Sequence, residues 1–116
     1  MKLLTQEIEE LLPPIYSQEE KGFEALAVVK FFTPASNWTW WASEANAILD
    51  DDEETEVPLA DPRAAGRKDV RFFGLVEGFA REYGYWCLSE LEGIQGPFGL
   101  GVERDIYWIP KPLAEC

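Results

Sequence analysis

Apolar and polar positions alternate most clearly on either side of Thr33-Pro34-Ala35-Ser36-Asn37, within the stretch Val29–Ala45. At a period of two, Ala27, Val29 and Phe31 fall on one face, and Val28, Lys30 and Phe32 on the other. Beyond the turn, Trp38 and Trp40 share a face while Thr39 and Trp41 share the opposite one. Pro34 fixes φ and the polar residues beside it bond their own backbone, so the pattern predicts a hairpin. This stretch holds two of the seven phenylalanines and three of the five tryptophans. Rings on both faces mean that neither face is simply solvated. One is expected against the core, the other under a helix or loop, or at a contact site.

The flanks follow in order. Thr5 to Leu12 predicts a short helix with Thr5 as N-cap, acids in its first turn, and Leu4, Ile8, Leu11 and Leu12 as its apolar stripe. Pro13-Pro14 ends it, Ile15-Tyr16 anchors the exit, and Ser17 to Gly22 reads as a polar loop. After Ala47-Ile48-Leu49, the run 50–69 is rich in acids, Pro, Arg and Gly, and reads as a long mobile loop with little structure of its own. Val70–Val76 predicts a third strand, Gly78–Gly84 a loop and Tyr85–Leu88 a fourth strand, antiparallel to the third. Ser89-Glu90-Leu91-Glu92 fits a capping box opening a short second helix that Gly93 and Gly96 limit. Glu103 to Ile109 predicts a fifth strand, and Pro110-Lys111-Pro112 an extended tail. The expected fold class is α+β: a twisted antiparallel sheet of about five strands with an N-terminal helix packed on it, in a single domain spanning 1–116.

Charge changes the picture most. The chain carries 22 acidic and 10 basic residues, a net charge of −12, and seven of the acids lie between Asp50 and Asp61, leaving 15 against 10 elsewhere. That balance opposes direct binding to a phosphate backbone, which needs clustered Lys and Arg. It favours a basic protein surface as partner, unless the run is only a solvated loop. Met1-Lys2-Leu3-Leu4 runs straight into Thr5-Gln6-Glu7 with no secretory signal, and no apolar run is long enough to span a bilayer, so a cytoplasmic protein without a membrane partner is expected.

The candidate chemistries thin out under the same reading. There is no histidine, which excludes Ser-His-Asp and Cys-His catalysis and His-ligated metals. Cys87, between Trp86 and Leu88, reads as a buried inert thiol, and Cys116 as an exposed one; together they form no disulfide framework. Glu90, Glu92, Glu103 and Asp105 could supply paired carboxylates for Mg²⁺ or acid–base work, but capping and surface ion pairs account for them better. Asp50 to Glu56 resembles a calcium loop only in charge, lacking its alternating ligands and central Gly. Gly93, Gly96, Gly99 and Gly101 lack the Lys-Ser/Thr of a phosphate loop. Trp38, Trp40, Trp41, Tyr85, Trp86, Tyr107 and Trp108 could stack bases, yet Lys30, Arg71, Arg81 and Arg104 are too scattered for a cationic groove. Most of these rings read as core, with one or two left as protein-contact anchors.

The pieces L-L-P-P-I-Y-S, V-K-F-F-T-P-A-S-N-W-T-W, F-F-G-L-V-E-G, Y-G-Y-W-C-L-S-E-L-E, G-P-F-G-L and V-E-R-D-I-Y-W-I-P-K-P-L run in this order along nearly the whole chain. They resemble a family of small bacterial domains of unknown function. The acidic run 50–69 looks longer than usual for it, and Gly101 stands where Pro is expected. The resemblance implies an α+β fold, an association with plasmids, integrative elements and phages, and a link to small inhibitors of CRISPR nucleases; it supplies no catalytic residues. Three functions stay open. The favoured one is a non-catalytic acidic interaction protein of a mobile element, with no cofactor and no metal. It would act on a basic nucleic-acid-handling protein through Asp50, Asp51, Asp52, Glu53 and Glu54 and through Trp41 and Trp108. The alternatives are a nucleic-acid-binding accessory domain and a carboxylate-based metal-dependent enzyme.

Overall fold

The computed structural model describes residues 1–116, the side chain of Pro97 aside. Its centre is the ten-residue strand β3 (Thr39–Ile48), reached from β2 (Val29–Phe32) through the Pro34 turn. Thr33 closes that turn: its N–H donates to the Trp38 carbonyl at 3.0 Å, and its hydroxyl accepts from the Trp38 N–H at 3.2 Å. The hairpin register sets Phe31 opposite Trp40 and Lys30 opposite Trp41. Along the other edge of β3 runs β5 (Asp69–Glu77), followed by β6 (Arg81–Cys87). β4 (Glu56–Pro58) pairs with Asn46–Ile48, and β7 (Glu103–Arg104) with Phe31–Phe32. These six strands form one antiparallel sheet, and β1 (Leu26–Ala27) pairs separately with β8 (Lys111–Pro112).

Both faces of the sheet are covered, as rings on both sides of the hairpin require. On the first face Val29, Phe31, Trp40, Val70, Phe72 and Trp86 pack with Leu3, Leu4 and Leu12, which flank helix α1 (Gln6–Leu11), and with Leu91 of helix α2 (Leu88–Glu92). Trp38 stacks on Trp40 with centroids 5.9 Å apart, the shared face that the alternation predicts. On the second face Trp41 and Leu75 pack with Ala25, Ala27 and Leu113. Here the cover is a 3₁₀ segment, Glu19–Glu24, and the chain's last turn, Leu113–Glu115.

Several expectations are corrected. Ala27 joins the second face rather than the face of Val29 and Phe31, because the ladder is interrupted at Val28, whose N–H donates to the Ala42 carbonyl at 2.8 Å. Leu11 is exposed; the chain turns extended at Leu12, and Leu12 fills the core in its place. The 3₁₀ segment takes over much of the expected Ser17–Gly22 loop, and β6 starts at Arg81, so the loop before it is a tight Gly78–Ala80 turn. The cap of helix α2 lies two residues earlier than expected: Cys87, not Ser89, stands at the N-cap, Glu90 accepts its N–H at 3.1 Å, and the Ser89 N–H donates to Asp69 at 3.1 Å. The expected fifth strand stops after Arg104, because Asp105 turns the chain by accepting the Tyr107 N–H at 3.0 Å, local bonding that competes with a ladder. The run 50–69 carries structure of its own. Asp50 accepts the N–H groups of Glu54 and Thr55, β4 follows, and Asp61 caps the 3₁₀ turn Pro62–Gly66. Its few apolar residues suffice: Val57 and Ala64 are buried against Ala47.

The register of β3 on β5 shifts between Ala42 and Glu44, a β-bulge at Ser43. Gly74 lies opposite it, where a Cβ would fall 1.8 Å from the Trp41 carbonyl oxygen. Only a glycine admits that approach. The cross-strand Gly84, by contrast, has nothing within 4 Å of a Cβ. Gly74→Ala is therefore expected to lower the thermal midpoint by roughly 5–15 °C, an overpacking cost of about 1–3 kcal/mol. Gly84→Ala should leave it within about 2 °C, as surface substitutions do. A thermal melt of the pair checks the bulge, and equal effects would contradict it.

Candidate functional site

The bulge decides where Glu44 goes. In regular alternation Glu44 would share the first face with Trp40 and Ala42, whereas here Ala42 and Ala45 both lie in that core and Glu44 turns to the second face. There Ser43 and Glu44, both buried, lie at the inner end of a cavity of about 180 Å³. Two aromatic pairs wall it: Phe73 with Tyr85 from β5 and β6, centroids 5.0 Å apart, and Phe23 stacked on Tyr83 at 4.5 Å. Exposed Tyr16 and Glu19 complete the rim. Tyr16 holds φ at +74° and Gly22, another lining residue, holds +52°; the first is costly for a residue with a side chain.

Glu44 is 4% exposed, and its Oε2 accepts the Gln18 N–H at 2.7 Å. Among the described residues no Lys or Arg lies in ion-pair range of it, and none lines the cavity. A carboxylate so placed lacks the counter-charge that offsets removal from water. The Tyr85 phenol is pushed up to about 12, first by the neighbouring Tyr16 hydroxyl, then by desolvation and the nearby Glu44 charge. The cavity therefore presents aromatic faces, phenol hydroxyls and a buried carboxylate. Tyr16 and Tyr85 also line a second, more open cleft with Glu54 and Glu56, so this cavity and the acidic turn adjoin.

The residues singled out in the sequence are distributed differently. Trp41 is buried in the second-face core, with the Arg81 guanidinium 5.7 Å above its ring, so it is no surface anchor. Trp108 is half-buried: its Nε1 donates to the Ala27 carbonyl at 2.8 Å, and Lys30 and Lys111 lie over its ring. It ties the C-terminal segment to the sheet, while its neighbours Tyr107 and Ile109 are exposed. Of the acidic run, Asp50 closes the turn and Glu53 joins Glu56 on Arg71, at 3.4 and 3.0 Å. Asp51, Asp52 and Glu54 project into solvent with no side-chain partner among the described residues.

Glu90, Glu92, Glu103 and Asp105 do not converge. Glu90 caps α2 and Asp105 faces Lys30 at 3.8 Å. Among the described residues the group of possible metal-ligating atoms is Glu53, Asp69 and Cys87, within 4.8 Å of one another. Its carboxylates already serve Arg71 and Ser89, and burial together with the Asp69 charge pushes the Cys87 thiol up to about 11, away from thiolate. The Cys116 thiol is half-buried rather than exposed, and burial raises it too.

The chain belongs to the family described as "Protein of unknown function (DUF2958)", which matches residues 3–114. No curated protein and no solved structure matches it. No helix among the described residues is long and apolar enough to cross a membrane.

Tyr85 gives a direct reading of this electrostatics. In an ultraviolet pH titration, one of the four tyrosines should ionise near pH 12, and Tyr85→Phe should remove that step. Tyr16→Phe should bring it back towards the ordinary 10.0. The sign follows from the raised value: the fold favours the neutral phenol, so its contribution is whole below pH 10 and is lost as pH rises through about 12. A wild-type titration with no late step contradicts the assignment.

Proposed function

We propose that this member of the family is a non-catalytic acidic interaction protein that engages the basic surface of a nucleic-acid-handling protein. The observation that carries this reading is the acidic turn. Asp50 holds it closed, Arg71 anchors Glu53 and Glu56, and Asp51, Asp52 and Glu54 are left presented without a counter-charge. Carboxylates held in place steer a basic partner better than a tether would, because less conformational freedom is lost on binding. The mobile-element setting implied by the family resemblance makes nucleic-acid-binding defence proteins, CRISPR nucleases included, the first partners to test.

Direct nucleic-acid binding fits less well. Five of the ten basic residues, Lys30, Arg63, Arg67, Arg71 and Arg81, already face carboxylates of this chain. A backbone-tracking groove needs such cations free and aligned.

The test is competition with DNA or RNA for a panel of nucleic-acid-binding proteins at low salt. Changing Asp51 and Asp52 to Asn and Glu54 to Gln should slow association about 3- to 10-fold while dissociation changes less, as rim charges behave. Asp50 and Glu53 are kept, since both hold the turn in place. Added salt should erase the difference over a Debye length of about 8–10 Å. Competition that is absent across the panel, or indifferent to these three carboxylates, sinks the proposal.

A further inference from the structure

We propose that the cavity at Glu44 is a receptor for an organic cation the size of a lysine or arginine head group. Glu44 would be its counter-charge, and Phe73, Tyr85, Phe23 and Tyr83 its aromatic walls. Four observations converge. The carboxylate is buried, belongs to a residue that lines the cavity, and is served by one N–H donor. No protein cation enters the cavity from among the described residues. Rings stand on two sides of it, and the face of an aromatic ring attracts a cation within about 6 Å of its centroid. The volume, about 180 Å³, lies below the roughly 300–1,000 Å³ of pockets for drug-sized ligands, so it suits a side-chain-sized group rather than a nucleotide.

Other occupants fit worse on the same grounds. An anion would meet Glu44 across a medium of low dielectric, and Glu19 again at the rim. A neutral apolar group would seal Glu44 from water while giving its charge no partner. An ammonium or guanidinium supplies what is missing, donating to the carboxylate while its alkyl part lies against the rings.

The carrier of that cation is where the inference rests on the proposed function. Tyr16 and Tyr85 line both this cavity and the cleft with Glu54 and Glu56, so a basic partner on the acidic turn could place one Lys or Arg side chain against Glu44. The same chemistry also fits a free alkylammonium or alkylguanidinium metabolite. The two sources share a site and differ in size.

The experiment is an NMR titration of the isolated protein at low salt. The probes are n-butylammonium, n-butylguanidinium, their uncharged linear analogue butan-1-ol, and capped pentapeptides with a central Lys or Arg between glycines. Saturable shifts at Glu44, Phe73 and Tyr85 are expected with the cations, at dissociation constants of about 1–10 mM for ligands so small. Glu44→Gln keeps the acceptor for Gln18 and removes the charge, and should weaken binding at least about tenfold. Tyr83→Leu keeps an apolar wall and removes the ring face; because Tyr83 is partly exposed, this variant should fold, and bind about 3- to 10-fold more weakly. The inference is overturned by any of three results: no saturable shift with either cation up to about 50 mM; equal binding by a folded Glu44→Gln variant; or equal binding of the alcohol. Binding of the small cations with exclusion of both peptides upholds the receptor and assigns it to a free cation. Because no partner protein enters the titration, its outcome is independent of the competition assay.

Discussion

Strand β3 is buried on both faces along almost its whole length, and much of the molecule is what that condition demands. A strand with Trp40 on one side and Trp41 on the other has no solvated face, so two separate layers must close over it. The N-terminal segment and α2 supply the first, and the 3₁₀ segment with the last turn of the chain supplies the second. Both ends of the chain are therefore recruited to the core. The β1–β8 pairing and the Arg104 guanidinium on the Lys2 carbonyl at 2.6 Å hold those ends down.

The second layer is less complete than the first, and the bulge at Ser43 makes the difference matter. One extra residue in β3 reverses the side of the sheet that each later side chain faces, which places Ala45 in the core and Glu44 under the thinner cover. Gly74 is the complementary half of the device, the residue without a side chain that lets the bulged strand approach. A buried carboxylate with one hydrogen bond, next to a residue at φ +74°, is local cost that the packing elsewhere must offset. Such cost gathers where a ligand relieves it, and relief by a cation is the reading that unites charge, rings and volume.

Much of the fold was legible in the sequence because its signals are local and periodic. The hairpin, the Thr5 cap, the end of α1 at the prolines and the pairing of β5 with β6 all follow from alternation and turn chemistry. The candidate site was not legible, for a reason that lies in the bulge. Glu44 sat in the stretch read most closely, yet regular alternation would put it on the first face with Trp40 and Ala42, and nothing local announces a register shift opposite Gly74. Phe23, Tyr83 and Tyr16 come from three separate segments, joined only by the tertiary fold. The acidic run misled in the other direction: its composition is that of a loop, but Val57 and Ala64, two small apolar residues, find partners in Ala47 and order it. Trp41 reads from the sequence as a partner-contact residue, and the second layer makes it core instead.

In the proposed reading, the acidic turn and the Glu44 cavity act at different ranges. Charge on the surface works over about a Debye length, so the −12 of the chain raises the local concentration of any basic partner without selecting among them. Selection needs contact at close quarters, where desolvation punishes a poor fit. The cavity has that character: its carboxylate is buried, its walls are rings, and its volume admits one side-chain head group. Asp51, Asp52 and Glu54 would then govern how fast a partner arrives, and Glu44 with its rings how long it stays. The cleft shared by Tyr16, Tyr85, Glu54 and Glu56 would let one bound surface satisfy both at once.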